Sequence, residues 1–81
     1  MFWVYVLRSL KTRKRYVGYT SKDPVLRLSE HNAGMTKSTS KQRPFELIHR
    51  EFFEQKTEVI KRERFLKSGQ GRKFLDQIIP G

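Results

Sequence analysis

The chain has no cysteine, so neither disulfides nor a thiolate metal site can reinforce its core. That composition fits a cytoplasmic protein. No apolar run approaches the roughly 20 residues that a membrane-spanning helix needs. The opening Met-Phe-Trp-Val-Tyr-Val-Leu has neither a basic leader nor a small-residue cleavage site, so it reads as a buried strand and not as a secretion signal. Acidic residues are scarce: 8 Asp and Glu stand against 18 Lys and Arg, for a formal net charge of +10. A field that positive selects polyanions, nucleic acid above all. An anionic membrane is the weaker partner, because no basic amphipathic helix stands apart from the rest of the chain. Internal repeats, low-complexity tracts and linkers are missing too, and no zinc finger or recognition helix is evident.

What is present is one small domain, residues 1–81, close to the size at which a single core barely suffices. Six Phe, three Tyr and one Trp point to a core built from a few bulky side chains. Residues 2–8 are aromatic and β-branched and read as a first strand. Period 2 puts Trp3, Tyr5 and Leu7 on one face and Phe2, Val4 and Val6 on the other; with both apolar, this strand belongs in the middle of a sheet. A polar connector, Ser9 to Lys14, leads to a second strand, Arg15 to Thr20, in which Gly18 interrupts an aromatic run. A strand glycine signals a bulge or close approach by another group. A hairpin would set Tyr5 opposite the neighbourhood of Tyr16 or Gly18.

Asp23-Pro24 is a helix start, Asp at the N-cap and Pro at the first helical position. The helix covers 24–32 and ends at Ala33-Gly34. Arg27 and His31 lie one turn apart on one face, with Val25 and Leu28 marking the neighbouring apolar face. After a polar loop, 35–42, the segment Phe45 to Phe53 alternates as a third strand. A second helix runs from Gln55-Lys56-Thr57 to Lys67-Ser68, with Val59, Ile60, Phe65 and Leu66 as its apolar positions. Glu63 falls on that inward stripe, where an unpaired carboxylate is costly. A last helix over 72–79 packs Phe74, Leu75 and Ile78 inward. The order β-β-α-β-α-α makes an α+β fold with a mainly antiparallel three-stranded sheet flanked by helices.

Singly, the chemical residues have ordinary explanations. Tyr5 and Tyr16 suit packed strand aromatics, Arg27 a solvated helix face, His31 a helix C-terminus, and Glu63 an ion pair with a cation such as Arg27. Together they offer two phenols, a guanidinium, an imidazole and a carboxylate to one sheet face.

Val4-Tyr5-Val6 and Tyr16-Val17-Gly18, joined by a short basic connector, resemble the paired motif of the GIY-YIG nuclease family. Gly18-x-Thr20, Arg27-Leu28-x-x-His31-Asn32, Arg43-Pro44 and Arg62-Glu63-x-x-Leu66-Lys67 follow in order. Val17 stands where the second motif has Ile, and a late polar amide of some members has only Gln70 and Gln77 as counterparts. The resemblance covers nearly the whole chain and is closest to small free-standing members. It implies metal-dependent hydrolysis of DNA by an activated water, with Tyr5, Tyr16, Arg27, His31 and Glu63 as the catalytic set. Glu63 would hold a single Mg²⁺ or Mn²⁺, in keeping with the one or two carboxylates Mg²⁺ usually takes. Arg27 would hold the scissile phosphate. Tyr5 leads as the group that orients or deprotonates the water, with Tyr16 beside it. A phenol of ordinary pKa is only ~0.1% ionised at pH 7, so such a base needs positive charge nearby, or His31 to accept its proton.

Gly18, Thr20, Lys14, Arg15, Lys41, Arg43 and Lys67 make up the substrate-binding set. The basic connector, the 37–43 loop and the helix face of Lys61, Arg62, Arg64 and Lys67 would follow a phosphate backbone with little sequence preference. Single strands and structured junctions are among the substrates such a bare module takes. The rival is a nucleic-acid-binding module without catalysis, RNA- or ribosome-associated, which needs neither an inward Glu63 nor the Arg27/His31 pair.

Overall fold

The computed structural model describes residues 1–37 and 39–79. The doubly apolar segment Phe2–Ser9 (β1) takes the centre of an antiparallel sheet, between Arg15–Thr20 (β2) and Phe45–Phe53 (β3). Val4, Tyr5, Val6 and Leu7 are each no more than 1% exposed, because helices cover both faces. Val4 and Val6 pack with Val17 and with Val59, Leu66 and Leu75, which come from α2 (Lys56–Lys67) and α3 (Gly69–Ile78). Tyr5, Leu7 and Phe45 form a second cluster on the opposite face, closed by Leu28 of α1 (Pro24–Asn32). Burying each large aliphatic side chain stabilises the fold by about 1.5–3 kcal/mol. The element order is the expected one, and the fold is α+β.

Helix α1 follows its sequence signals. Asp23 accepts a hydrogen bond from the Val25 amide at 2.8 Å, Pro24 occupies the first turn, and Gly34 at φ 79° takes the chain away from the helix end. Val25 is 55% exposed and does not contribute to the apolar face expected of it; Leu28 does. Asn32 ties the helix to β3, accepting from the Phe45 amide at 2.7 Å and donating to the Phe45 carbonyl at 3.1 Å.

The second and third helices depart from expectation at their junction. α3 starts at Gly69 and not at Arg72, because Ser68 serves both helices: its amide bonds the Phe65 carbonyl, and its hydroxyl accepts from the Gly71 amide at 3.2 Å. With no spacer the two backbones touch, and a Cβ at Gly71 would strike the Phe65 carbonyl. Rotating the helix start also moves Ile78 outward, to 42% exposed, while Leu75 is buried and Phe74 and Ile79 pack against the core.

Strand β3 contains a bulge that plain alternation does not foresee. Val6 faces His49 and Leu7 faces Leu47, leaving Ile48 as the extra residue. The parity of the strand changes there. Leu47 lies on the Tyr5 face, and beyond the bulge so do Arg50, opposite Tyr5, and Phe52, opposite Trp3. His49 and Glu51 go to the other face, where Glu51 receives Arg62 in a paired contact at 2.7 and 3.1 Å.

Candidate active site

Tyr5 is the cross-strand partner of Gly18, and Leu7 of Tyr16, so the two phenols share a face one residue pair apart. A Cβ at Gly18 would lie 2.6 Å from the Tyr5 hydroxyl oxygen and 2.8 Å from its ring. The absent side chain is thus the space the Tyr5 ring occupies, with Tyr16 alongside at 6.4 Å between ring centroids. Helix α1 then lowers His31 onto the pair. Its imidazole is fully buried, 6.0 Å from the Tyr5 ring, 5.1 Å from Tyr16 and 6.1 Å from Phe45.

The buried imidazole has a partner at each nitrogen. Nε2 lies 3.2 Å from the Tyr5 hydroxyl and Nδ1 lies 2.8 Å from the hydroxyl of Thr39. Thr39 has one hydroxyl hydrogen, and the Thr36 carbonyl at 3.3 Å accepts it. With that hydrogen on the Thr36 carbonyl, Thr39 would accept from His31 and the imidazole hydrogen would sit on Nδ1. In that tautomer Nε2 presents a lone pair and Tyr5 donates to His31. The hydrogen bonds would then run in one direction, from Tyr5 through His31 and Thr39 to a backbone carbonyl.

The charges agree with that assignment. Burial, then the neighbouring Tyr16, pushes the Tyr5 phenol up to about 12, against the opposing pull of Arg27. Burial, then the positive Arg27, holds His31 below its ordinary value, so at neutral pH it is an uncharged acceptor. Arg27 donates to Glu30 at 2.9 Å, and Glu30 also takes Lys22 at 3.2 Å. Those two cations hold the Glu30 carboxyl below its usual range, Arg27 contributing most. Glu63, on α2, has a side chain only 17% exposed and pairs with Lys67 at 3.6 Å. Its charge reaches Tyr5 and helps to raise that phenol.

Two phenols, a neutral imidazole and a guanidinium therefore converge from β1, β2 and α1, whereas Glu63 comes from α2, which packs on the other sheet face, and meets this group only through its charge on Tyr5. The profile of the GIY-YIG catalytic domain matches residues 1–74. The chain belongs to the GIY-YIG family. It is 35% identical over 80 residues to a UPF0213 protein of Staphylococcus saprophyticus, covering 98% of this chain and 95% of that one. Another, from Staphylococcus haemolyticus, is 34% identical over 77 residues, 94% of this chain and 92% of the relative. Among solved structures, the solution NMR structure of a UPF0213 protein from Bacillus halodurans is similar, with a TM-score of 0.57 and 30% identity over 96% of this chain and 85% of that one.

GIY-YIG proteins are a nuclease family, generally dependent on a divalent metal ion and acting on DNA. The donor set here can be tested against that dependence. Among the described residues no three His, Asp or Glu side chains gather into a metal centre. A zinc site of three or four protein ligands does not fit. A hard cation that keeps its waters and takes phosphate oxygens needs only one or two protein carboxylates, which this donor set can supply.

The remaining GIY-YIG candidates are more dispersed. Lys14, Arg15 and Lys67 line a cleft of about 1040 Å³ along β2, together with Arg8, Arg13, Arg72 and Tyr16. Arg15 there is tied to Asp76 at 2.8 Å. Lys41 lies in the 3₁₀ turn Ser40–Gln42, its carbonyl 3.5 Å from the Lys11 ammonium. Arg43 packs its guanidinium against Gly34. Thr20 is buried and caps the Lys22 amide at 3.0 Å. Of the basic helix face, Arg62 is taken by Glu51 and lies over Phe65 and Phe74, leaving Lys61 and Arg64 exposed. Sequence reasoning missed Thr39 and Glu30. Thr39 comes from a loop without periodicity and gives no signal; Glu30, three residues after Arg27, was readable as an i,i+3 pair.

Proposed function

We propose that this chain is a divalent-metal-dependent endonuclease that hydrolyses DNA phosphodiester bonds with little sequence preference, on single-stranded or structured DNA. The observation that supports the proposal is the buried contact of the Tyr5 hydroxyl with His31, whose other nitrogen meets Thr39. A phenol pushed up to about 12 is ionised to only ~10⁻⁵ at pH 7, so Tyr5 does not act as a standing phenolate. It acts as a relay. The attacking water's oxygen bonds to phosphorus while its proton passes to the Tyr5 oxygen, and the Tyr5 hydrogen moves to Nε2 of His31. The opposite P–O bond breaks and His31 is left as imidazolium. Nδ1 keeps its hydrogen on Thr39 throughout. Arg27 exchanges Glu30 for the scissile phosphate and offsets the charge that builds on its oxygens. Glu63 would hold a divalent ion, which would offset charge on the phosphate and on the oxygen that leaves.

The test is a cleavage panel: single-stranded, duplex and branched DNA, with Mg²⁺ or Mn²⁺, alongside Glu63→Gln prepared identically. Cleavage by the wild type and none by the variant, with DNA binding largely kept, is the expected result. No cleavage of any substrate by the wild type would leave the non-catalytic nucleic-acid-binding module as the account of this protein.

A further inference from the structure

Beyond the catalytic cluster, the same sheet face carries a second aromatic group that no step above uses. We propose that Trp3, Phe52 and Arg50 form a subsite for one unpaired nucleobase beside the reacting phosphate; the proposal rests on the nuclease function and narrows its substrate to DNA with unstacked bases.

Trp3 precedes Tyr5 by two residues on β1, which puts their Cα atoms about 6.7 Å apart on one face. That separation is within the reach of a nucleotide next to the phosphate bound beside Tyr5. Phe52 is the cross-strand partner of Trp3, with ring centroids 5.2 Å apart and planes at 66°. The edge-to-face arrangement leaves ring surface open: Phe52 is 45% exposed and Trp3 partly so. Arg50, the cross-strand partner of Tyr5, is exposed and holds its guanidinium 5.4 Å from the Trp3 ring. Among the described residues it has no ion-pair partner. A planar base on the rings and a phosphate on Arg50 suit this group at both ends, in a protein of net charge +10.

A protein partner suits it less well. Two aromatic side chains supply at most about 500 Å², against the ~800 Å² that each side of a stable protein interface buries. Bases inside a duplex are stacked on their neighbours and cannot reach the rings. The subsite therefore favours single strands, frayed ends or junction arms.

Trp3 is the sole tryptophan, so its emission reports this site directly. The full-length protein is titrated in EDTA with a ten-nucleotide strand, the same strand carrying abasic residues, and a blunt duplex of that sequence. Saturable quenching by the base-bearing strand, with little from the other two, is the expected result. Phe52→Leu, which keeps an apolar side chain, should weaken single-strand binding by about 5–150-fold, the measured range for one stacked base, and leave abasic and duplex binding unchanged. Equal quenching by the abasic strand overturns the subsite, and so does a Phe52→Leu effect of the same size on every DNA. A wild-type dimer that Phe52→Leu dissociates assigns the face to a second copy of the chain and also overturns it. Base-dependent quenching without cleavage would refute the nuclease and leave the subsite standing; cleavage without such quenching would do the reverse.

Discussion

Replacing Thr39 by valine removes one hydroxyl, at nearly constant shape, from a residue 3% exposed. The hydroxyl is the acceptor for His31 Nδ1 at 2.8 Å. Without it the imidazole either buries an unsatisfied N–H, at a cost of about 1–3 kcal/mol, or moves its hydrogen to Nε2. The second choice turns the hydrogen bond with Tyr5 around, since Nε2 becomes a donor and the phenol must accept. Tyr5 can then no longer pass its proton inward, and the relay is lost at its first step. General-base assistance contributes about 10²–10⁴-fold, so a fall in kcat of at least about 10² is expected, with little change in KM. Thr39→Ser, which restores an oxygen, should recover most of it. Long-range ¹H–¹⁵N correlation spectra of the imidazole provide a readout that mere loosening would not give: the Nδ1–H tautomer in the wild type and the Nε2–H tautomer in the valine variant. A wild-type spectrum showing Nε2–H, or a valine variant with undiminished turnover, would refute the proton direction assigned here.

Three further outcomes follow from contacts around the site. Gly18→Ala places a Cβ 2.6 Å from the Tyr5 hydroxyl; the ring must shift, with a stability loss of about 1–3 kcal/mol in urea unfolding and a larger proportional loss of activity, and an unchanged midpoint would show the ring free to give way. Asn32→Ala breaks both bonds to the Phe45 backbone and should lower the unfolding free energy by about 2 kcal/mol, detectable in the same urea titration. The third concerns pH. The folded state holds the Tyr5 proton up to about 12 while the unfolded chain releases it near 10, so stability is complete below pH 10 and falls by roughly a few kcal/mol as pH rises toward 12. His31 is shifted the opposite way, so stability falls as pH drops below its ordinary value of 6.5, and cleavage should decline only at lower pH than a free imidazole would dictate. Tyr5→Phe should abolish the alkaline slope specifically, and His31→Asn the acidic one.

Much of the scaffold was legible because single residues dictated it. A strand apolar on both faces had to be central, Asp23-Pro24 had to open a helix, and Gly18 had to admit something close. Spacing alone set Arg27 and His31 on one face of α1 and kept Glu63 from open solvent. What escaped was set by tertiary geometry. The Ile48 bulge leaves no mark on the alternation of 45–53, yet it decides whether His49 or Arg50 joins the Tyr5 face. The glycines at 69 and 71 read as a helix break, whereas the Ser68 cap makes them the first turn of α3 and Gly71 lies against the Phe65 carbonyl of α2. Thr39 belongs to the site only because the loop after α1 folds back over the imidazole.

The site divides into parts that differ in how much it costs to disturb them. The Tyr5–His31–Thr39 chain is buried throughout, so any break leaves a polar group without water to replace its partner. Arg27 and Glu30 are partly exposed, at 30% and 23%, and an ion pair so open to water contributes little. An arriving phosphate can displace Glu30 at small expense, and Lys22 remains to hold the carboxylate that Arg27 leaves. Along the β2 cleft, Arg15 pairs with Asp76, Arg8 with Glu46 and Lys67 with Glu63, so the basic lining is partly balanced by acids from β3, α2 and α3. A rigid proton path beside an exchangeable phosphate holder, at the edge of a basic cleft, is the arrangement that hydrolysis of a polyanion requires: geometry stays fixed where the proton moves, and charge is free to rearrange where the substrate binds.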